Sequence, residues 1–134
     1  MVTTQIKHQV AEHYFDWLSE GKIDKILSLF TLDAIVHSPV YGKKRAADFY
    51  SELGDDTKSS ELKLNGFFDQ PNSNRFVLYF NYKWTLTNGK TTVFDVVDVF
   101  ELNEEGKIIK LNIIYNASES TPLINELNAT ENGN

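Results

Sequence analysis

Arg75-Phe-Val-Leu-Tyr-Phe-Asn-Tyr-Lys-Trp-Thr-Leu-Thr-Asn-Gly-Lys-Thr-Thr-Val-Phe-Asp-Val-Val-Asp-Val-Phe-Glu-Leu-Asn103 is the stretch whose reading decides the fold. β-branched and aromatic residues fill it, and Asn88-Gly89 interrupts it near the middle, a strong short-range signal for a tight hairpin. Two long antiparallel strands are predicted, over 75–87 and 90–103. Similar segments flank them: Glu61 to Asp69 lies before the turn residues Pro71-Asn-Ser-Asn74, and Lys107 to Asn116 lies after Glu104-Glu-Gly106. The second half of the chain therefore reads as an antiparallel meander.

Register follows from the turn. If Asn88-Gly89 is a two-residue loop, Thr87 faces Lys90 and, counting outward, Tyr79 faces Asp98. A loop of Asn103 to Gly106 then sets Leu111 opposite Asp98, with Ile109, Ile113 and Tyr115 on the same face. Asp95 and Asp98 are three apart in one strand, so they point to opposite faces and one of them points at the core. This register makes it Asp98, among Tyr79, Phe100, Leu111 and Ile113, with Asn81 and Lys83 at a more polar end of the wall. It also gathers Leu78, Phe80, Tyr82 and Trp84 with Val93, Val97 and Val99 on the outer face. So much apolar surface predicts a homodimer packed sheet to sheet, with Tyr82 and Trp84 as anchors. A slip of one residue is the alternative: it turns the aromatic row inward, fills the pocket with rings, and exposes Tyr79, Asn81 and Lys83.

Upstream the apolar period changes to that of helices. Ile6, Val10, Tyr14, Trp17 and Leu18 recur at three- and four-residue spacing behind Thr3 or Thr4 as N-cap, and Gly21 stops the helix. Ile23, Ile26, Leu27 and Phe30 repeat the pattern in a shorter helix. A β-rich run from Ile35 to Val40 follows, then a third helix from about Lys43 to Leu53, with Phe49 and Tyr50 facing inward and Gly54-Asp55-Asp56 as its stop. Helices followed by strands predict an α+β domain in which three N-terminal helices cover one face of a curved antiparallel sheet. Residues 117–134 turn polar and small. They predict a mobile tail, in which Pro122 to Leu127 could form a helical turn.

Composition bounds the function. The chain has 134 residues and a net charge of -6, so it is sized for one domain and poorly suited to a nucleic-acid backbone. Lys43-Lys44-Arg45 is its one basic cluster and reads as a solvated helix start. No run approaches a membrane span, and the first residues lack a secretory pattern, so no membrane partner and a cytoplasmic location are expected. With no cysteine, thiolate metal sites and thiol nucleophiles are excluded. The three histidines have no ligand spacing, and Gly-rich phosphate loops are missing, so neither metal nor other cofactor is expected.

The order of elements, with Tyr14, Gly21, Phe30, Asp33-Ala34, Ser38-Pro39-Val40, Phe49-Tyr50 and Asp98 to Ile108, resembles the nuclear transport factor 2-like superfamily. That superfamily is also called SnoaL-like or ketosteroid isomerase-like. The resemblance covers roughly residues 4–116, a single domain, and implies a cystatin-like cone, with the helices in the concave face of the sheet around an apolar pocket, commonly in a dimer. Within it the motifs are most similar to the ketosteroid isomerases, which shift a proton between two carbons beside a ketone. That chemistry needs a carboxylate base and donors for the oxygen of the dienolate. The resemblance implies that Tyr14 and Asp98 are those donors, Asp98 as a protonated acid of raised pKa, with Tyr50 supporting Tyr14. The base position, before a proline, holds Ser38, whose hydroxyl has no useful basicity at neutral pH. His37 is the adjacent candidate, but in a regular strand it points to the opposite face.

Trp17, Phe30, Val36, Val40, Phe49, Leu53, Tyr79, Phe100, Ile113 and Tyr115 are predicted to complete an apolar ligand pocket, suited to a small carbonyl or phenolic molecule. Two functions follow. One is an isomerase or cyclase in which Tyr14 and Asp98 polarise a carbonyl while a substrate group, water or His37 takes the proton. The other is a non-catalytic dimeric module that binds a ligand or serves as an accessory.

Overall fold

The Thr3 side-chain oxygen accepts a hydrogen bond from the Ile6 amide (3.2 Å) and opens α1 (Thr4–Glu20), as the N-cap reading predicts. Gly21 closes it at φ 70°, in the left-handed region, returning its N–H to the Leu18 carbonyl. This is a computed structural model, and it describes residues 1–131. After α2 (Ile23–Leu27) comes β1 (Phe30–Ser38), so Phe30 opens a strand and does not end a helix. β2 (Gly42–Arg45) folds back antiparallel on β1, with Ser38 facing Gly42. This short strand, unseen in the sequence, uses the basic cluster and moves α3 to Ala46–Asp56. Then come β3 (Thr57–Asp69), β4 (Arg75–Leu86), β5 (Thr91–Leu102) and β6 (Ile108–Ile114).

The sheet has six strands in the order β2-β1-β6-β5-β4-β3. β3 to β6 form the antiparallel meander expected from their turns. β1 instead runs parallel to β6, pairing Val36 with Leu111. The sheet is thus mixed and not wholly antiparallel, because β1 and β6 are joined by no hairpin that would fix their direction. Register shifts interrupt β1, β3 and the β5–β6 pairing, and such bulges bend a sheet around the helices it carries.

The β4–β5 register differs from the two-residue turn. Leu86 N–H donates to the Lys90 carbonyl (2.8 Å) and Gly89 N–H to the Leu86 carbonyl (2.9 Å), leaving Thr87, Asn88 and Gly89 as the loop. Gly89 takes the left-handed step at φ 85°. Thr87 N–H is used elsewhere, donating to the Asp56 carbonyl at 3.0 Å. Leu78 therefore faces Asp98, and Tyr79 faces Val97. Leu78, Phe80, Tyr82 and Trp84 turn inward and are buried, while Tyr79, Asn81 and Lys83 join the outer face. The alternative register is the one adopted. Tyr82 and Trp84 are core residues and cannot anchor a partner. β5 keeps its predicted faces, because Asp98, paired with Ile113 on β6, still points inward.

The tail differs from the sequence reading too. α4 (Ser120–Glu131) is a helix that buries Ile124 and Leu127 in the core, with Glu126 paired to Lys90 in the β4–β5 loop. The polar composition hid this because few apolar residues, at three-residue spacing, suffice to dock one helical face. The last predicted tail positions, 132–134, lie outside the described residues. No helix among the described residues is long and apolar enough to cross a membrane.

Candidate functional site

α1, α3 and the inner face of the sheet enclose an aromatic cavity of about 50 Å³. On that measure a water needs roughly 10–15 Å³ and the cavity that holds benzene is roughly 150 Å³, so the space as it stands holds a few waters and no steroid. The inward aromatic row is what fills it: Phe80, Tyr82 and Trp84 from β4, with Phe94 from β5 stacked on Tyr82 at 5.5 Å.

Tyr14 reaches the cavity from the buried stripe that Lys7, Ala11 and Leu18 share with it on α1. Its hydroxyl bonds that of Tyr50, on α3, at 2.6 Å. Tyr50 lies behind Tyr14 and outside the cavity, as a supporting residue would. Burial first, and the neighbouring phenol second, hold the Tyr14 hydroxyl well above the usual tyrosine range. Asp98 also lines the cavity; it is 1 % exposed, and desolvation drives its carboxyl well above the ordinary carboxylate range. Its Oδ1 is buried and meets no hydrogen-bond partner among the described residues.

The polar heads of the other rings are tied into the wall. Tyr82 shares a hydrogen bond with Ser60 (2.7 Å), and Trp84 Nε1 donates to Thr57 Oγ1 (2.7 Å). Tyr41, on the turn between β1 and β2, donates its hydroxyl to Asp56 Oδ2 at 2.7 Å. Ser38 lines the cavity with 5 % of its surface exposed, and its Oγ accepts the Tyr41 N–H at 3.1 Å. The serine thus has a local structural role, closing the turn around Pro39. His37 is exposed on the opposite side of β1, paired between Lys43 and Asn112, so no bulge brings it to the cavity.

Of the predicted pocket residues, Phe49, Leu53, Ile113 and Tyr115 line the cavity. Phe100 sits one layer down, edge-on to Tyr14 (4.9 Å) and stacked on Phe76 (4.7 Å). Phe30 packs against Tyr50 at 5.5 Å, and Val36 is fully buried beside it in β1. Val40 is half-buried in the turn. Trp17 stacks on His13 (4.8 Å) under Lys25, because its position on α1 faces the α2 side. Tyr79 is on the outer face, a correction that follows from the one-residue register difference. Sequence reasoning missed Leu18, Tyr41, Phe80, Tyr82, Trp84, Phe94 and Val96. For the β4 residues the signal was present in the alternative register.

Outside Leu18, Leu53 and Tyr82, which border both, lies a polar cleft of about 380 Å³ between the end of α1, α3 and β3. Among the described residues no cluster of His, Asp and Glu could hold a metal ion.

Residues 11–111 match the family model described as a SnoaL-like domain, which is more than half of the chain. The chain belongs to the SnoaL-like domain family. Solved structures share the fold of this family member at low identity. One is SalBIII, an epoxide hydrolase/cyclase-like enzyme in pyran ring formation in the polyether salinomycin, at 21 % identity and TM-score 0.75 over 89 % of this chain and 97 % of that one. TerC, co-crystallized with polyporic acid, aligns at 19 % identity and TM-score 0.74, covering 90 % of this chain and 98 % of its own. A putative polyketide cyclase from Silicibacter sp. TM1040 aligns at 17 % and TM-score 0.72, covering 91 % and 97 %. No curated protein sequence matches the chain. These likenesses establish a fold that cyclase-type enzymes use; the chemistry has to be argued from the site.

Proposed function

We propose that this SnoaL-like protein binds a small carbonyl or phenolic molecule and supports isomerase- or cyclase-type chemistry, with Tyr14 and Asp98 holding the ligand oxygen. One observation carries the reading. Asp98 is a buried, desolvated carboxyl with an unpartnered oxygen, in a cavity where Tyr41, Tyr82 and Trp84 spend their polar atoms on the wall and Tyr14, by accepting from Tyr50, keeps its own O–H to donate. An acid in that setting keeps its proton and offers an O–H to the acceptor that binds beside it. A ligand oxygen that gains negative charge is then stabilised most where its donors are already oriented, which favours enolate and dienolate intermediates. A ring-sized ligand requires the wall to open, since the cavity is about 50 Å³ and a cavity that binds benzene is roughly 150 Å³; the neighbouring cleft, which shares Leu18, Leu53 and Tyr82 with it, gives room for that opening. The cyclase-like relatives, and the relative crystallised with an organic acid, agree with that class.

The test is binding of 2-naphthol, whose phenolic oxygen mimics an enolate. Wild-type protein should bind it, and Tyr14→Phe and Asp98→Leu should each weaken it about tenfold or more, since a charge-assisted hydrogen bond contributes about 1.5–3 kcal/mol. Equal affinity in all three proteins overturns the assignment. Ser38 in place of a carboxylate supports a second reading, a ligand-binding or accessory module that performs no reaction.

We also propose that a second copy covers the outer sheet face. Phe68 (55 % exposed) and Ile114 (50 % exposed) flank the half-buried Val77, Tyr79, Val97 and Val99 there, an apolar strip that a monomer would leave wet. The face is self-complementary if two copies meet across it, as two-fold dimers require.

A further inference from the structure

A carboxylate stands one phenol away from the cavity, on the side where Ser38 leaves no base. Tyr41 sets its ring in the cavity wall, edge-on to Phe49 (5.6 Å) and Trp84 (6.4 Å), and its Oη donates to Asp56 Oδ2 at 2.7 Å. Its amide donates to Ser38 Oγ, so Tyr41 hangs from the same turn as the residue at the family's base position. Asp56 ends α3 and is 7 % exposed, and its own carbonyl is held by Thr87 N–H. The fold gains little from a carboxylate here. It sits at a helix C-terminus, where the dipole opposes negative charge, and none of the ion pairs among the described residues includes it. What it does hold is Tyr41, whose ring lines the cavity.

We propose that Tyr41 and Asp56 together are the proton acceptor of this site. The idea rests on the reading that Tyr14 and Asp98 hold the ligand oxygen. In the step, a C–H bond next to the bound carbonyl breaks and its proton joins Tyr41 Oη. The Tyr41 O–H breaks in the same motion, and its proton joins Asp56 Oδ2. The electron pair of the C–H bond passes into the enolate, so one negative charge leaves Asp56 and appears on the oxygen beside Tyr14 and Asp98. Return of the proton by the reverse path, to the same or another carbon, restores both groups. Burial and the Asp56 bond keep Tyr41 above the ordinary phenol range, with Tyr115 and Glu52 adding to it, so a free tyrosinate is disfavoured and the two transfers are coupled. Tyr41 is the catalytic residue in this scheme, and Asp56 acts through it.

The experiment follows deuterium uptake next to the carbonyl of 3-cyclohexen-1-one in D2O by proton NMR, using the full chain. Wild-type protein should catalyse exchange. Tyr41→Phe and Asp56→Asn should each lower kcat by about a hundredfold or more while KM stays within about threefold, and Asp56→Glu should recover part of the loss. Tyr41→Phe keeps the ring packing, so it carries the test if Asp56→Asn fails to fold by circular dichroism. Exchange that persists at wild-type kcat in Tyr41→Phe overturns the proposal. Silence of wild type together with activity of Ser38→Asp overturns the relay and leaves the donor pair standing. Silence of both overturns the relay and the donor pair together.

Discussion

Replacing Asp98 by asparagine removes one proton-binding site and little volume, so the pH dependence of its effect on stability isolates the buried acid. Desolvation raises the folded-state pKa of Asp98, while in the unfolded chain it returns to roughly 3.9. The folded protein therefore binds this proton more tightly than the unfolded one. Its contribution is fully present below about pH 4 and is lost as pH rises towards the folded value. Across that window the loss is about 1.4 kcal/mol per pH unit. Each such unit is a sizeable share of the roughly 5–15 kcal/mol typical of a domain. The other acids titrate in both proteins and cancel in the difference. The asparagine amide adds a cost of about 1–3 kcal/mol for unmet hydrogen bonds, but that offset does not vary with pH. Urea unfolding followed by the fluorescence of buried Trp84 supplies the assay. With an m-value of about 2 kcal/mol/M, the midpoint of Asp98→Asn should gain up to about 0.7 M on wild type per pH unit between pH 5 and pH 7 for as long as Asp98 stays protonated in the folded protein. A midpoint difference that stays constant over this range would refute the reasoning, because it would mean that Asp98 titrates as an exposed carboxylate does.

Other consequences can be checked more briefly. Ser38→Asp, which adds a carboxylate base to the one proposed for Tyr41 and Asp56, should raise isomerisation of 3-cyclohexen-1-one, measured by ultraviolet absorbance of the conjugated product, by at least about a hundredfold over wild type. Leu127→Ala should cost about 2–4 kcal/mol in urea unfolding, since Leu127 is buried under α4; a mobile tail would give no change. Val97→Glu should convert a sheet-to-sheet dimer to monomer in multi-angle light scattering while leaving 2-naphthol binding intact, and a monomeric wild type at micromolar concentration would remove the dimer proposal. Gly21→Ala should lower stability by about 1 kcal/mol, since φ 70° is strained for any residue with a Cβ.

The chain's local chemistry determined the three main helices' neighbourhoods, the four-strand meander and one half of the site, and left β2 and α4 unseen. Thr3 and Gly21 bound the first helix by capping, and Tyr14 falls on its buried stripe by period alone. Asp95 and Asp98, three apart in a strand, required that one acid face the core; the predicted register chose Asp98, and β5 kept that face although β4 is registered one residue away. Tertiary contacts decided the other half. Asn88-Gly89 is compatible with a loop of two residues or three, and the choice was made by Thr87 N–H, which bonds the Asp56 carbonyl across the fold instead of continuing the hairpin. That single bond accompanies a one-residue register change, and side chains alternate with period two, so the whole aromatic row of β4 moved from the outer face into the cavity. The pairing of β1 with β6, the docking of α4 and the meeting of Tyr41 with Asp56 have the same origin. Each joins segments that no local turn or helical period connects, so their energies appear only when the chain has closed on itself.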